Sequence, residues 1–144
     1  MGVPQRISMV TLGVADVARS TDFYESLGWR RSSASEDDWI TFFAMQGSVL
    51  GIYGREPHAA DVGVDPAGSG FRGVTLALNC DSRDDVDAVV AAWVGAGATL
   101  VKAPQAVEWG GYSSYVADPD GHLWEIAHNP FSPNDEAGRM QLAD

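Results

Sequence analysis

A short pattern occurs twice in this chain, and it constrains the fold more than any other feature. Val10-Thr11-Leu12 recurs as Val74-Thr75-Leu76, and each copy opens a strand that leads to a capping residue and a helix. After Asp16, the residues Val17, Ser20, Phe23, Tyr24 and Leu27 fall at helical spacing. After Ser82, Val86, Val89, Val90 and Trp93 do the same. Asp16 and Ser82 have side chains suited to accept from the first free helical N–H groups, the second supported by Asp85. Gly28 and Gly97 stand where a left-handed residue closes a helix.

Strand-like segments follow each helix: DWITFFAM and SVLGIYG in the first half, ATLVKA, GYSSYVA and HLWEIAH in the second. DPDG separates the last two as a turn, with Pro119 presetting φ and Gly121 taking the positive value. The first module spans about residues 7–54 and the second about 73–129. The Gly-, Pro- and Asp-rich stretch at about 55–72 reads as a linker. The tail, 130–144, has no periodicity and is expected to run over the surface or a partner subunit. The 144 residues suit one α+β domain made of two βαββ(β) modules, with each helix covering one face of its own sheet.

Side-chain alternation sorts the faces of these strands. Val10, Leu12 and Val14 should pack on the first helix, leaving Met9, Thr11 and Gly13 opposite. Val74, Leu76 and Leu78 should pack on the second, leaving Gly73, Thr75 and Ala77. In the last strand Trp124 and Ile126 pack, and Glu125 points the other way. A hairpin at DPDG would set Tyr115 opposite Glu125, with Ser113 one step along. Aligning LWEIA with VLGIY puts Gly51 where Glu125 stands in the second half. Trp39, Tyr53, Trp109 and Tyr112 are further aromatic candidates, of unsettled direction.

The segments MVTLGVADVARSTDFYESLGW and SSYVADPDGHLWEIAHNP, carried by two such modules, resemble the vicinal oxygen chelate superfamily of glyoxalase I, extradiol dioxygenases and bleomycin-resistance proteins. The resemblance covers roughly residues 7 to 129. It implies curled mixed sheets around a concave cavity, a small-molecule ligand and a homodimer with shared pockets. Metal enzymes of the superfamily take ligands from positions that correspond here to Met9, Gly51, Gly73 and Glu125. Of these only Glu125 suits a divalent cation, because a thioether is a poor partner for hard or borderline metals and glycine has no side chain. His58 falls in the linker, His122 beside the turn, and His128 on the face opposite Glu125. No cofactor is therefore expected, and a divalent metal is kept as the minor alternative.

Three readings of Glu125 stay open: a hook for a cationic ligand, a structural carboxylate hydrogen-bonded to Tyr115 or Ser113, and a metal ligand. A buried acid has to be paired, hydrogen-bonded or neutralised in any of them. The leading expectation is a small-molecule binder like the bleomycin-resistance branch, with candidate contacts at Met9, Thr11, Trp39, Tyr53, Thr75, Trp109, Tyr112 and Tyr115. The ligand expected is cationic or aromatic. The alternative is a glyoxalase-like lyase, isomerase or dioxygenase using a metal, or Glu125 as general base. The bland reading of the aromatic segment EWGGY is a twisted strand entrance, and Cys80 reads as a small buried residue.

A net charge of −11 argues against nucleic acid as partner, and the single cysteine excludes a thiolate-rich zinc site. No membrane span is expected, since no stretch nears the roughly 18 apolar residues it requires. The N-terminus lacks the layout of a secretory signal, so a cytoplasmic location is expected.

Overall fold

The structure is a computed structural model that describes residues 2–144. The elements run β1 (Met9–Val14), α1 (Val17–Ser26), β2 (Ile40–Ala44), β3 (Val49–Gly54), α2 (Arg55–Val62), β4 (Leu76–Asn79), α3 (Arg83–Gly95), β5 (Thr99–Ala106), β6 (Tyr112–Ala117) and β7 (Leu123–His128). They make an α+β fold with two mixed sheets, ordered β1-β3-β2 and β4-β7-β6-β5. The chain divides between Ala67 and Gly68 into two compact units, each holding one sheet.

In the first unit β3 pairs parallel with β1 and antiparallel with β2. The helical spacing read from Val17 onward is realised: Val17, Ser20, Thr21, Phe23 and Tyr24 are the buried face of α1. They meet the inward set of the sheet, and Tyr24 lies 6.0 Å from Phe43 between ring centroids. Each such side chain removed from water contributes about 1.5–3 kcal/mol. One polar pair enters this core, Thr21 Oγ1 and Thr41 Oγ1 at 2.7 Å, each supplying the partner that the other needs. Asp16 caps α1 by accepting from the Arg19 N–H at 3.0 Å.

The segment expected as linker begins instead with α2. Pro57 misleads as a breaker, because it occupies the first turn, where a backbone N–H has no helical partner to lose. Gly63, at φ 88°, then ends the helix in the left-handed conformation. The helix packs on β1 and β3.

In the second unit β4 runs parallel to β7, while β6 pairs antiparallel with β7 and β5. Val86, Val90 and Trp93 form the buried face of α3, and Trp93 meets Trp124 at 5.1 Å. Ser82 caps this helix through the Asp85 N–H, as its sequence position suggests. The turn at DPDG is held by Asp118, whose carboxylate accepts from the N–H groups of Asp120 and His122 at 2.9 Å each. Gly121 there has φ 85°.

One expectation changes in this unit. β4 starts at Leu76, not at Gly73; in its register with β7, which begins at Leu123, residues 73 and 74 lie beyond the partner strand. Val74 is accordingly exposed instead of packed. The tail, for its part, is attached: Asn134 donates to the Asn79 carbonyl at 2.9 Å and to Asp81 at 3.1 Å, and a bridge joins Asn134 to Met140.

Candidate functional site

β7 places Trp124 and Ile126 against α3, so its alternation turns Glu125 to the helix-free face. The hairpin register then sets Tyr115 directly opposite Glu125, and Ser113 opposite Ala127. The Ser113 hydroxyl donates to Glu125 Oε2 at 2.6 Å, a short bond of the charge-assisted kind. The Tyr115 phenol is pushed above the usual tyrosine value, first by burial, then by the negative charge of Glu125 and a hydrogen bond to it. Tyr115, a phenol already protonated at neutral pH at its ordinary value, stands as a donor beside the acid.

The register also fixes what else shares this face. Ala77 of β4 flanks Glu125 on one side, and Lys102 of β5 pairs with Tyr115 on the other. Gln105 pairs with Ser113. Irregularities in β5 lie on both sides of Lys102, the type of local distortion that re-aims side chains. Thr75 sits just before β4 and is exposed. Chemically, the face presents a half-buried carboxylate, two hydroxyl donors and an ammonium group.

The face of the first sheet away from α1 differs sharply, and α2 covers part of it at Gly13 and Tyr53. Met9, Thr11 and Gly13 pair with Val49, Gly51 and Tyr53, which pair in turn with Ala44, Phe42 and Ile40. A Cβ on Gly51 would lie 3.2 Å from Thr11 Oγ1 and 3.4 Å from Met9 Sδ, so those two side chains flank the glycine. Trp39 meets Tyr53 edge-on at 5.7 Å, and Tyr53 meets His58 of α2 at 5.5 Å. Trp39 remains 52% exposed, enough ring to stack on a ligand. This face carries no charged residue among the strand positions paired here.

Two aromatic candidates take other places. Tyr112 alternates with Ser113 and so lies on the α3 side, opposite Glu125, where its hydroxyl donates to Asp87 at 2.8 Å. The Arg83 guanidinium covers its ring at 5.3 Å from the centroid. Trp109 folds onto its own loop, its indole occupying the space a side chain on Gly111 would need. The neighbouring Gly110, at φ 98°, lies under the Phe131 ring. Sequence reasoning missed His58, for which the only signal was its phase on a helix not foreseen, and Lys102, the chain's single lysine.

A resident metal of the kind the superfamily uses does not fit these residues. In the first unit the corresponding positions are Met9 and Gly51, which give no carboxylate or imidazole. In the second they are Gly73, ahead of β4, and Glu125 alone. His128 cannot assist, since it alternates to the other face and its Nδ1 lies 3.0 Å from the Cys80 carbonyl oxygen. Among the described residues no three His, Cys, Asp or Glu are grouped to share an ion.

Fold and site together define a two-module α+β protein with a polar helix-free face in the second unit and an apolar face, away from α1, in the first. The family described as the Glyoxalase/Bleomycin resistance protein/Dioxygenase superfamily matches residues 6–126, and the chain belongs to it. A glyoxalase-related enzyme from Fulvimarina pelagi is 35% identical, with 98% of this chain and 100% of that one covered and a TM-score of 0.88. A glyoxalase/bleomycin resistance protein from Albidiferax ferrireducens T118 is 28% identical over 86% of this chain and 98% of its own, with TM-score 0.65. Lactoylglutathione lyase from Agrobacterium tumefaciens, 19% identical over 88% and 96% of the two chains, shares the fold at TM-score 0.67. No curated protein matches the chain. Among the described residues no helix is long and apolar enough to cross a membrane.

Proposed function

We propose that this protein binds a small cationic or aromatic molecule without a resident metal, using Glu125 as the hook for positive charge. The observation that carries the reading is the 2.6 Å bond from Ser113 to Glu125 Oε2 on the helix-free face. That bond holds the carboxylate in place on a helix-free face that a ligand can approach. Donor chemistry supports the absence of a metal role, since one carboxylate stands where a complete site needs three ligands. The acidic surface raises the local concentration of cations. A homodimer and a cytoplasmic location belong to the same proposal.

The test is a titration with cationic aromatic amines, followed by tryptophan fluorescence and melting temperature. Binding should be saturable in the native protein and lost in Glu125→Gln, which keeps the shape and removes the charge. Equal binding by both proteins would exclude Glu125 as the hook.

A second reading is supported by the Fulvimarina relative, whose description is an enzyme. Here Glu125 would take a proton from a bound substrate, with Tyr115 returning one from the opposite strand. Glu125→Gln should then abolish turnover while leaving neutral ligands bound. Unchanged turnover would remove the base.

A further inference from the structure

The polar face of the second unit carries more than its acid. Glu125, Tyr115 and Lys102 pair in succession across β7, β6 and β5, so the three positions form one row across the sheet, with Glu125 and Tyr115 on the face away from α3. Strands in a sheet lie about 4.8 Å apart, which sets the Glu125 and Lys102 backbones about 10 Å apart with Tyr115 between them. Glu125 and Lys102 make no ion pair, and among the described residues the Lys102 side chain enters neither a salt bridge nor a hydrogen bond.

The residue type adds a second observation. Of nine basic side chains eight are arginine, and the one lysine stands in this row, between two irregularities of β5. Lysine gives a compact, strongly hydrated point charge on a flexible stem, suited to meeting one anionic group without the planar fork of arginine. A lysine on an edge strand has a plainer use, as a charge that discourages another strand from pairing there. That use requires nothing of Tyr115 or Glu125, and the register with both is what separates the two explanations.

We infer that the ligand of this face is a small zwitterion, whose cationic group meets Glu125 and whose anionic group meets Lys102, with Tyr115 beneath its middle. The inference rests on the ligand-binding reading above and specifies the second charge of the ligand. The two protein charges make no ion pair with each other, so a molecule with opposite charges several ångströms apart engages both. Competing cations lacking the anionic group would engage only Glu125.

The experiment compares three probes of one shape: para-aminomethylbenzoate, benzylamine and para-toluate. Affinities are measured by calorimetry on the native protein, Lys102→Met, Lys102→Arg and Glu125→Gln. Because the chain has one lysine, reductive methylation with isotope-labelled formaldehyde places a single side-chain NMR reporter at Lys102 and keeps its charge. The expected result is that para-aminomethylbenzoate binds about tenfold tighter than benzylamine, a margin suited to one partly exposed charge-assisted contact. Lys102→Met should erase that margin without changing benzylamine, Lys102→Arg should keep most of it, and the reporter should shift with the zwitterion but not with benzylamine. If benzylamine binds through Glu125 but the zwitterion binds no tighter, or Lys102→Met leaves the margin intact, the zwitterion is excluded while the hook stands. Such a result returns Lys102 to edge protection. If neither probe binds, both readings fall together.

Discussion

Replacing Ser113 by alanine tests the arrangement around Glu125 without touching the acid. Ser113 is 7% exposed, and its hydroxyl donates to Glu125 Oε2 at 2.6 Å. A hydrogen bond to a charged group is worth about 1.5–3 kcal/mol net when buried. Glu125 is only half-buried, so water partly replaces the lost donor and the lower end applies. Alanine leaves the backbone pairing with Ala127 in place, so no further loss is added. The expected destabilisation is about 1.5 kcal/mol, or a fall of about 3–6 °C in Tm for a chain this size. Urea denaturation of the native protein, Ser113→Ala, Glu125→Leu and the double variant forms a complete cycle. A coupling energy near 1.5 kcal/mol is expected, because either single change already removes the bond. Additivity within about 0.5 kcal/mol would mean that the two side chains do not act together, and the account of the site would fail.

Other consequences can be measured in parallel. Thr41→Val strands the Thr21 hydroxyl in the core of the first unit and should cost about 1–3 kcal/mol, whereas adding Thr21→Val should recover most of the loss; a double variant as unstable as the sum would refute the pairing. Trp93→Ala removes the largest buried side chain of α3 and should cost about 3–5 kcal/mol in denaturant midpoint analysis, with a loss under about 1 kcal/mol contradicting its placement. Tyr115 has its phenol raised in the fold, so its contribution to stability is complete below the ordinary value of about 10 and is lost as pH rises beyond it. Glu125→Gln should move the Tyr115 titration, read by ultraviolet absorbance, to lower pH. The Cys80 thiol is pushed up to about 11, chiefly by burial and then by Asp85 and Asp81. Its alkylation should therefore remain slow at pH 8 and accelerate toward about 11, and fast labelling at neutral pH would contradict that environment.

What the sequence made legible follows from how local each signal was. Both long helices could be read because their apolar period, caps and closing glycines all lie within one short stretch. The pairing of Tyr115 with Glu125 could be read for the same reason: the four-residue turn at DPDG fixes the register of β6 on β7. Tyr112 was also within reach, since alternation from Ser113 and Tyr115 already assigns it to the opposite face. α2 was obscured by Gly54 and Pro57, residue types that punctuate loops but also suit a helix start. The start of β4 depends on where β7 begins, nearly fifty residues away, and no local feature of Gly73 or Val74 records that. Lys102 was the least visible, because its face depends on two irregularities in β5.

On the proposed function, Glu125 is a carboxylate held by Ser113 for ligand recognition and not a metal ligand. Elemental analysis tests this most directly, on protein purified without chelator and again after incubation with Mn, Fe, Co, Ni and Zn followed by desalting. The account predicts metal far below one ion per chain in every sample, with Glu125→Gln indistinguishable from the native protein. Retention near one ion per chain that disappears in Glu125→Gln would contradict it, and would make Glu125 a metal ligand.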